Sequence, residues 1–473
     1  MLHSQLVALT KCLNKQEWRD LHLFAASPLH NNREDVAALL RYLEHYLPKV
    51  KDTHLAKEKA WKKLFPHKPY DDAAMRYLMH LAQQVIQQFI AYQATQNAEI
   101  ATQIQLVQFL RQRNAATKIT EIELKKTAQL FDKQLIKNSN YYHDKYEFEV
   151  EQHEFAISQQ RSSTSGFQEL SDALNVYFIA QKLRQGCAAL MQRSLNNKEI
   201  RIDFLAEVLQ YVAQKKEVED VPLVALFYHS YCSLYDNEDT IHFEKMKRLL
   251  FEAETQFSRS ELREFYLYAI NCCIRRLNAA KVNYIAEVFD IYRKGLEINA
   301  LLEGNILSRF TYNNIVMAGV RMKAFEWTEN FIYEYKPFLE EKFRESTFNH
   351  VLATFYFKKK DYALAMNFLQ NAEFDDILHN LDARRMLLCI YYDLAEFDAL
   401  DAHLEAFKNY LYRQKDIGYH RENCLNLIRY TRRLLQLDFT NDLEINRLVS
   451  EIKETTRLVE TWWLLEKLAT ISI

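Results

Sequence analysis

Glycine is so scarce in this sequence that its absence limits the folds the chain can adopt. The 473 residues contain six glycines, whereas average usage of about 7% would give roughly 33. Tight hairpins, bulges and phosphate-binding loops need glycine, because only glycine adopts positive φ without a steric penalty. The two closest glycines, Gly295 and Gly304, are nine positions apart, so dinucleotide-binding, P-loop and nucleophile-elbow motifs are absent. We therefore expect an all-α protein.

Length, charge and cysteine content limit the class of protein further. A chain of 473 residues exceeds one compact core of about 250–300 residues, so it must form several domains or a repeat array. Its net charge of −2 gives no overall field that would attract nucleic acid or an anionic membrane. The first residues do not read as a secretory leader, no stretch is apolar enough to span a membrane, and the seven cysteines include no C-x-x-C pair. We expect a cytoplasmic protein with reduced cysteines and no membrane association.

Proline and small polar residues indicate the domain organisation. Four of the six prolines lie within residues 28–69, which predicts short helices and loops there and longer helices afterwards. The sequence Ser-Ser-Thr-Ser-Gly at 162–166 predicts a hinge. We therefore predict an N-terminal helical domain at 1–165 and a second helical domain at 166–473.

Local patterns predict where two of the helices begin and end. Asn14 followed by Glu17 has the spacing of a capping box at a helix N-terminus. In the last part of the chain, apolar residues recur every three or four positions through 442–468, which predicts one continuous helix. Its polar residues, Arg457 and Glu460 among them, are expected to face solvent, because nothing stacks on the outer face of a terminal repeat.

The second domain contains an internal repeat. The segments 320–332, 355–369 and 389–404 each combine a helix, a short polar turn, an aromatic residue and a second helix. The aromatic residues after the turns are Phe325, Tyr362 and Phe397. They are 37 and 35 residues apart, which is the length of one helical hairpin with its connector. Because these turns contain no glycine, we expect their residues to adopt right-handed conformations.

The second copy of the repeat resembles a tetratricopeptide repeat. The positions that match the family pattern are Ala353, Tyr356, Asp361, Tyr362, Ala365 and Ala372, the last of which lies outside the residues that the structure describes. In the first copy, Gly319 stands where the family usually has tyrosine. The resemblance covers about residues 305–410, and the best repeats lie at about 308–410. It implies an α-solenoid of antiparallel helix pairs in which the first helix of each pair lines a concave groove.

The resemblance also implies which residues would bind a partner. The groove positions of the family, carried over residue by residue, give amide, cationic and aromatic side chains. They are Asn313, Asn314, Met317 and Arg321 in the first copy, His350, Thr354 and Lys358 in the second, and Arg385, Cys389 and Tyr392 in the third. Such a wall suits an extended peptide with an acidic group. We predict a non-enzymatic adaptor that binds a protein or peptide partner in this groove.

A lysine-rich segment keeps a second function open. Residues 49–68 contain seven lysines and two acidic residues, with Trp61 among them. A surface of this kind can contact phosphates, so the alternative is a partner-responsive regulator whose N-terminal domain binds nucleic acid. Solvated lysines on a small domain are the simpler interpretation.

No sequence pattern predicts catalysis, a cofactor or a metal site. Four side chains share one face of a predicted helix: His143, Glu147, Glu151 and Glu154. The Glu-x-x-His pairs of a di-iron bundle are absent, so we expect a solvated or salt-bridged face. The adjacent Cys272 and Cys273 point about 100° apart on a helix, and we expect a buried pair rather than metal ligands. An enzymatic site assembled from scattered residues would leave no motif.

Overall fold

Helices make up the regular structure of this protein. The computed structural model describes residues 1–47, 55–113, 117–160, 164, 166–196, 200–252, 254–370, 377–414, 417–438 and 440–471. Within these ranges the chain forms 24 α-helices and no β-strand; an isolated bridge joins Glu303 and Ile306. The prediction of an all-α protein is confirmed. None of the described helices is both long enough and apolar enough to cross a bilayer.

The chain divides into two compact units, Met1–Phe178 and Ile179–Ile473. The division falls inside a 30-residue helix, α9 (Phe167–Asn196). The predicted domain boundary after residue 165 precedes this helix. Most of the predicted hinge at 162–166 lies outside the described residues, so the hinge and the boundary stay predictions.

The first unit contains two apolar cores. Its helices before α9 are α1 (Gln5–Lys11), α2 (Lys15–Ala26), α3 (Glu34–Tyr46), α4 (Lys57–Leu64), α5 (Asp72–Gln96), α6 (Glu99–Gln112), α7 (Thr117–Lys133) and α8 (Ser139–Gln159). The predicted capping box is present, because Asn14 Oδ1 accepts the Glu17 N–H and Glu17 Oε2 accepts the Asn14 N–H at 2.7 Å. The larger core lies among α1 to α5. A smaller one surrounds Phe131 and Phe148.

The second unit contains a long series of consecutive helices. Its helices after α9 are α10 (Leu205–Gln214), α11 (Lys216–Glu219), α12 (Pro222–Tyr235), α13 (Thr240–Glu252), α14 (Arg259–Asn278), α15 (Tyr284–Glu297), α16 (Arg309–Arg321), α17 (Phe325–Tyr335), α18 (Arg344–Lys359), α19 (Tyr362–Gln370), α20 (Ile377–Asp393), α21 (Phe397–Arg413), α22 (His420–Gln436), α23 (Asp442–Glu454) and α24 (Thr461–Ile471). Five pairs of consecutive helices pack together: α12 with α13, α14 with α15, α16 with α17, α18 with α19, and α20 with α21. The first helices of neighbouring pairs also touch, α12 with α14, α16 with α18, and α18 with α20.

Small residues allow the paired helices to approach closely. Ala353 on α18 and Ala365 on α19 are fully buried, as is expected of the small positions of a helical hairpin. Gly319 on α16 has the same function in the preceding pair. A Cβ added there would overlap Thr328 Oγ1 on α17, so a tyrosine could not occupy this position without moving α17 away.

The turns of the hairpins adopt left-handed conformations without glycine. Lys323, Lys360 and Ala395 have φ angles of +57°, +63° and +59°. In the second copy, the N–H of the next residue, Asp361, donates to the carbonyl of Tyr356 at 2.9 Å. This is the Schellman closure of a helix C-terminus, and it requires positive φ at the residue beyond the helix, whichever side chain that residue carries. The expectation of right-handed turns is therefore wrong.

The predicted last helix is divided in two. Residues 455–460 separate α23 from α24 and are not helical, and Glu460 has a φ of +54°. The segment is rich in threonine and branched side chains, which lower helix propensity. The prediction of one continuous helix over 442–468 is therefore wrong. Because of the break, the direction of α24 is not fixed by that of α23.

Candidate functional site

Three of the predicted groove residues on α16 line an open cavity. Asn314 and Arg321 are exposed, and together with Met317 they form one side of a cavity of about 250 Å³. Its other walls come from α14 and α15 and are apolar apart from Asn278. Burial raises the pKa of Tyr292 in this wall above its ordinary value, and a hydrogen bond from Asn314 acts in the opposite direction. Asn313 is half-buried and is not part of the cavity lining.

His350 is placed below the surface rather than on it. His350 is a buried residue with 6% exposure. Its ring stacks on that of His379, with 4.0 Å between the ring centroids. His350 Nε2 lies 3.6 Å from Asp382 Oδ2, while Arg385 Nη2 lies 2.9 Å from Asp382 Oδ1. Burial acts to raise the pKa of Asp382, but the adjacent His350 and the charge of Arg385 outweigh it and hold this pKa below its ordinary value. His350 thus helps to fix the carboxylate that orients Arg385.

Lys358 and Arg385, predicted as groove cations, converge on one carboxylate of the same chain. Glu460 Oε2 lies 3.9 Å from Lys358 Nζ, and Glu460 Oε1 lies 3.6 Å from Arg385 Nη2. The Glu460 side chain is only 8% exposed. Lys358 Nζ also lies 4.5 Å from the ring centroid of Trp462, within the range of a cation–π contact. The expectation that Glu460 faces solvent is therefore wrong, because the break before α24 turns its side chain towards α18 and α20.

Tyr392, the predicted aromatic groove residue, contacts the indole of Trp463. The two rings are perpendicular, with 5.3 Å between their centroids, and Trp463 is 1% exposed. Trp463 Nε1 donates a hydrogen bond of 3.1 Å to Asp393 Oδ1. Asp393 also accepts from the Tyr362 hydroxyl at 2.5 Å and pairs with Lys467 Nζ at 2.8 Å. Asp393 therefore joins α24 to the hairpins α18–α19 and α20–α21.

The structure thus brings Lys358, Arg385 and Tyr392 together around the segment that contains α24. Sequence reasoning missed the contact of Asp393 with this segment and the inward position of Glu460 and Trp463, because it treated the segment as the continuation of α23. One local signal was present. The threonine-rich segment before α24 indicates a helix break. Helical periodicity does not continue across a break, so it could not assign Glu460 to the outer face.

The lysine-rich segment of the first unit is only partly described. Residues 48–54 lie outside the described ranges. Trp61 is buried and donates its Nε1–H to the Pro69 carbonyl at 2.8 Å, so its ring belongs to the core and is not presented to a base. Lys57 Nζ pairs with Asp72 at 3.1 Å. Nucleic-acid binding by this unit stays a prediction.

Other polar clusters in the described residues have structural partners. Arg111 on α6 pairs with the buried Glu151 at 2.7 Å, as expected for a salt-bridged face. Cys272 and Cys273 are both buried, and burial raises the pKa of both thiols, which disfavours a reactive thiolate. No group of three or more His, Cys, Asp or Glu side chains within the described ranges is arranged to hold a metal ion.

A second cavity, of about 560 Å³, lies beside α10, α12 and α13. His242 lines it, and behind His242 the buried His229 approaches with 2.7 Å between the two Nδ1 atoms. Glu219 Oε1 lies 3.3 Å from His229 Nε2. One of the two rings must donate and the other accept, so the pair requires at least one neutral imidazole.

Comparison with known proteins identifies no relative. No family model matches the chain, and no curated protein and no solved structure matches it either. The assignment of a function consequently depends on the residues and contacts described above.

Proposed function

We propose that this protein is a non-enzymatic adaptor whose second unit is a tetratricopeptide-like solenoid that binds a protein or peptide partner. Three features support the solenoid. The same glycine-free turn recurs at Lys323, Lys360 and Ala395, the first helices of neighbouring pairs touch, and the small positions Ala353 and Ala365 are buried. As part of the proposal the adaptor acts in the cytoplasm, which agrees with its seven free cysteines.

The cavity on α16 is the observation that carries the binding function. It combines the exposed amide of Asn314, the guanidinium of Arg321 and the flexible side chain of Met317 with walls that are apolar apart from Asn278. An amide pairs with a peptide backbone, a guanidinium pairs with a carboxylate, and a methionine adapts to an apolar side chain. A partner segment with an acidic residue beside an apolar one matches this arrangement. Binding rather than chemistry is the mechanism, so the affinity depends on these side chains directly.

Partner capture by the full chain tests this function. The immobilised wild-type protein and the Asn314→Ala/Arg321→Glu variant are incubated with extract of the native host, and bound proteins are quantified by mass spectrometry. We expect the captured partner to fall by at least about tenfold in the variant, because a charge-assisted hydrogen bond is worth about 1.5–3 kcal/mol. Arg413→Glu makes the same charge change at an exposed position of α21 and serves as the control.

Two results would contradict the proposal. One is unchanged capture by an Asn314→Ala/Arg321→Glu variant whose circular dichroism equals that of the wild type. The other is an equal loss of capture in Arg413→Glu, which would attribute the effect to net charge and not to the cavity.

A further inference from the structure

Residues 455–471, here called the docked segment, lie against three helices of the second unit, α22, α20 and α18. Thr455 Oγ1 is 2.7 Å from the Tyr430 hydroxyl on α22. Farther along, the segment reaches α20 through Trp463 and Asp393, and α18 through Glu460 and Lys358. In a solenoid of the proposed kind, first helices line the concave wall. The docked segment therefore covers the part of this wall that contains Lys358, Arg385 and Tyr392.

Two side chains anchor the docked segment. The Glu460 carboxylate sits between two cations, Lys358 and Arg385. Three positions later, Trp463 is buried against Tyr392 and donates its N–H to Asp393. Aromatic side chains in desolvated pockets carry much of the binding energy of an interface, and clusters of cations recognise acidic motifs. The segment is held as a bound peptide would be held.

The first of these anchors is imperfect. Glu460 has a left-handed backbone conformation, which is unfavourable for a residue other than glycine. Its buried Oε2 has no hydrogen-bond partner among the described residues, and both cations stand beyond hydrogen-bond distance, at 3.6 and 3.9 Å. A buried carboxylate without a direct hydrogen bond pays a desolvation penalty that the ion pairs do not fully offset. A separate peptide without this strained connection can place its carboxylate closer to the same cations.

We propose that the docked segment is an internal ligand, and that the wall formed by α18 and α20 takes a partner peptide with an acidic residue three positions before a tryptophan. The segment and the partner compete, so binding in trans requires release of residues 455–471. This inference rests on the proposed function and adds to it the chemistry of the partner and the means by which access is controlled.

A synthetic peptide tests the competition directly. The probe is a fluorescein-labelled peptide of residues 455–471, and its binding is followed by fluorescence anisotropy with the full chain. In the Glu460→Ala/Trp463→Ala variant the internal anchors are removed while the wall is intact. We expect this variant to bind the probe at least about tenfold more tightly than the wild type, because the wild-type wall is free only in the fraction of molecules that have released the segment.

Two controls make the result specific. The Thr470→Ala variant changes an exposed residue on the same helix and should bind the probe as weakly as the wild type. A probe with the same two alanine substitutions should not bind the opened variant. Equal binding of the probe by wild type and opened variant overturns the proposal, as does absence of binding by an opened variant whose circular dichroism is that of the wild type.

A second measurement covers the case in which loss of the buried Trp463 unfolds the protein. A large excess of unlabelled peptide is added to the wild-type chain, and hydrogen exchange is measured. Amides of α24 should exchange faster with peptide, while those of α14 should not change. Unchanged exchange in α24 overturns the proposal and indicates a helix that only caps the end of the array.

The failure of this inference is distinguishable from failure of the proposed function. Asn314 and Arg321 line a different cavity from the wall that the segment covers. If the probe does not bind the opened variant but capture still depends on Arg321, the proposed adaptor function is supported and the proposal of an internal ligand is wrong. If the probe binds the opened variant but capture does not depend on Arg321, the site of the proposed function is wrong.

Discussion

Ala395 is held in a backbone conformation that alanine disfavours. Its φ of +59° brings Cβ close to the neighbouring backbone, at a cost of about 1–2 kcal/mol, and glycine would avoid this cost while losing about 0.5–1 kcal/mol of chain entropy. We therefore expect Ala395→Gly to raise the free energy of unfolding of the second unit by about 0.5–1 kcal/mol. Urea unfolding followed by circular dichroism measures this change.

The same substitution at a neighbouring position supplies the control. Ala399 lies inside α21, where glycine has no advantage, so Ala399→Gly should lower stability by about 0.5–1 kcal/mol. If Ala395→Gly raises the free energy of unfolding and Ala399→Gly lowers it, the difference is due to the backbone conformation at residue 395. Destabilisation by both variants would contradict the left-handed turn.

Gly319 shows the opposite requirement, for space and not for conformation. A Cβ at this position would overlap Thr328 Oγ1, whose hydroxyl donates to the Ala324 carbonyl at 2.7 Å. Gly319→Ala should therefore destabilise the second unit by about 1–3 kcal/mol in urea unfolding. The Gly319→Ala/Thr328→Ala variant removes the overlapping oxygen and should recover part of the loss. If the double variant were less stable by the sum of two independent effects, the steric explanation would fail.

At the scale of elements, the contact of α12 with α13 predicts a pH dependence. Burial, with the nearby charges of His242 and Lys245, lowers the pKa of His229 from 6.5 to about 4, and Glu219 opposes the shift only partly. The unfolded chain therefore takes up this proton at a higher pH than the folded chain does. The contribution of His229 is fully present above about pH 6.5 and is lost as the pH falls towards 4. Urea midpoints measured between pH 7.5 and 4.5 should decrease accordingly.

His229→Gln isolates this contribution. Glutamine keeps a polar side chain that can bond to His242 but does not titrate in this range. The variant should lose less stability than the wild type over the same pH interval, even though other buried groups such as His403 continue to titrate. Identical pH profiles for the two proteins would show that His229 does not contribute.

The structure of an element could be predicted from the sequence where it depends on neighbouring residues. It could not be predicted where it depends on contacts with residues distant in the chain. The capping box at Asn14 and the buried small residues of α18 and α19 depend on neighbours within one helix or hairpin. The turn at Lys360 was predicted with the wrong backbone conformation, because absence of glycine was taken as absence of positive φ. The position of Glu460 depends on cations about 75 and 100 residues earlier, which no local periodicity can reveal.

At the scale of the whole molecule, Asp393 links parts of the second unit that are far apart in sequence. It accepts hydrogen bonds from Tyr362 and Trp463 and pairs with Lys467, and its side chain is 7% exposed. Burial, followed by the hydrogen bond to Asp393, raises the pKa of Tyr362 above its ordinary value, so the hydroxyl stays protonated and donates. We therefore expect the buried Asp393 carboxylate to contribute more to the attachment of the docked segment than the exposed ion pairs of that segment contribute.

Asp393→Ala should release α24 without unfolding the rest of the unit. Hydrogen bonds to a buried charge are worth about 1.5–3 kcal/mol, so amide exchange in α24 should accelerate by at least about tenfold, while exchange in α14 and α15 should not change. Glu466→Ala removes the exposed pair of Glu466 with Lys360, worth about 0–1 kcal/mol, and should accelerate exchange by less than about fivefold. If both variants had equal effects, the buried carboxylate would not be the attachment point, since surface charge alone would then account for the release.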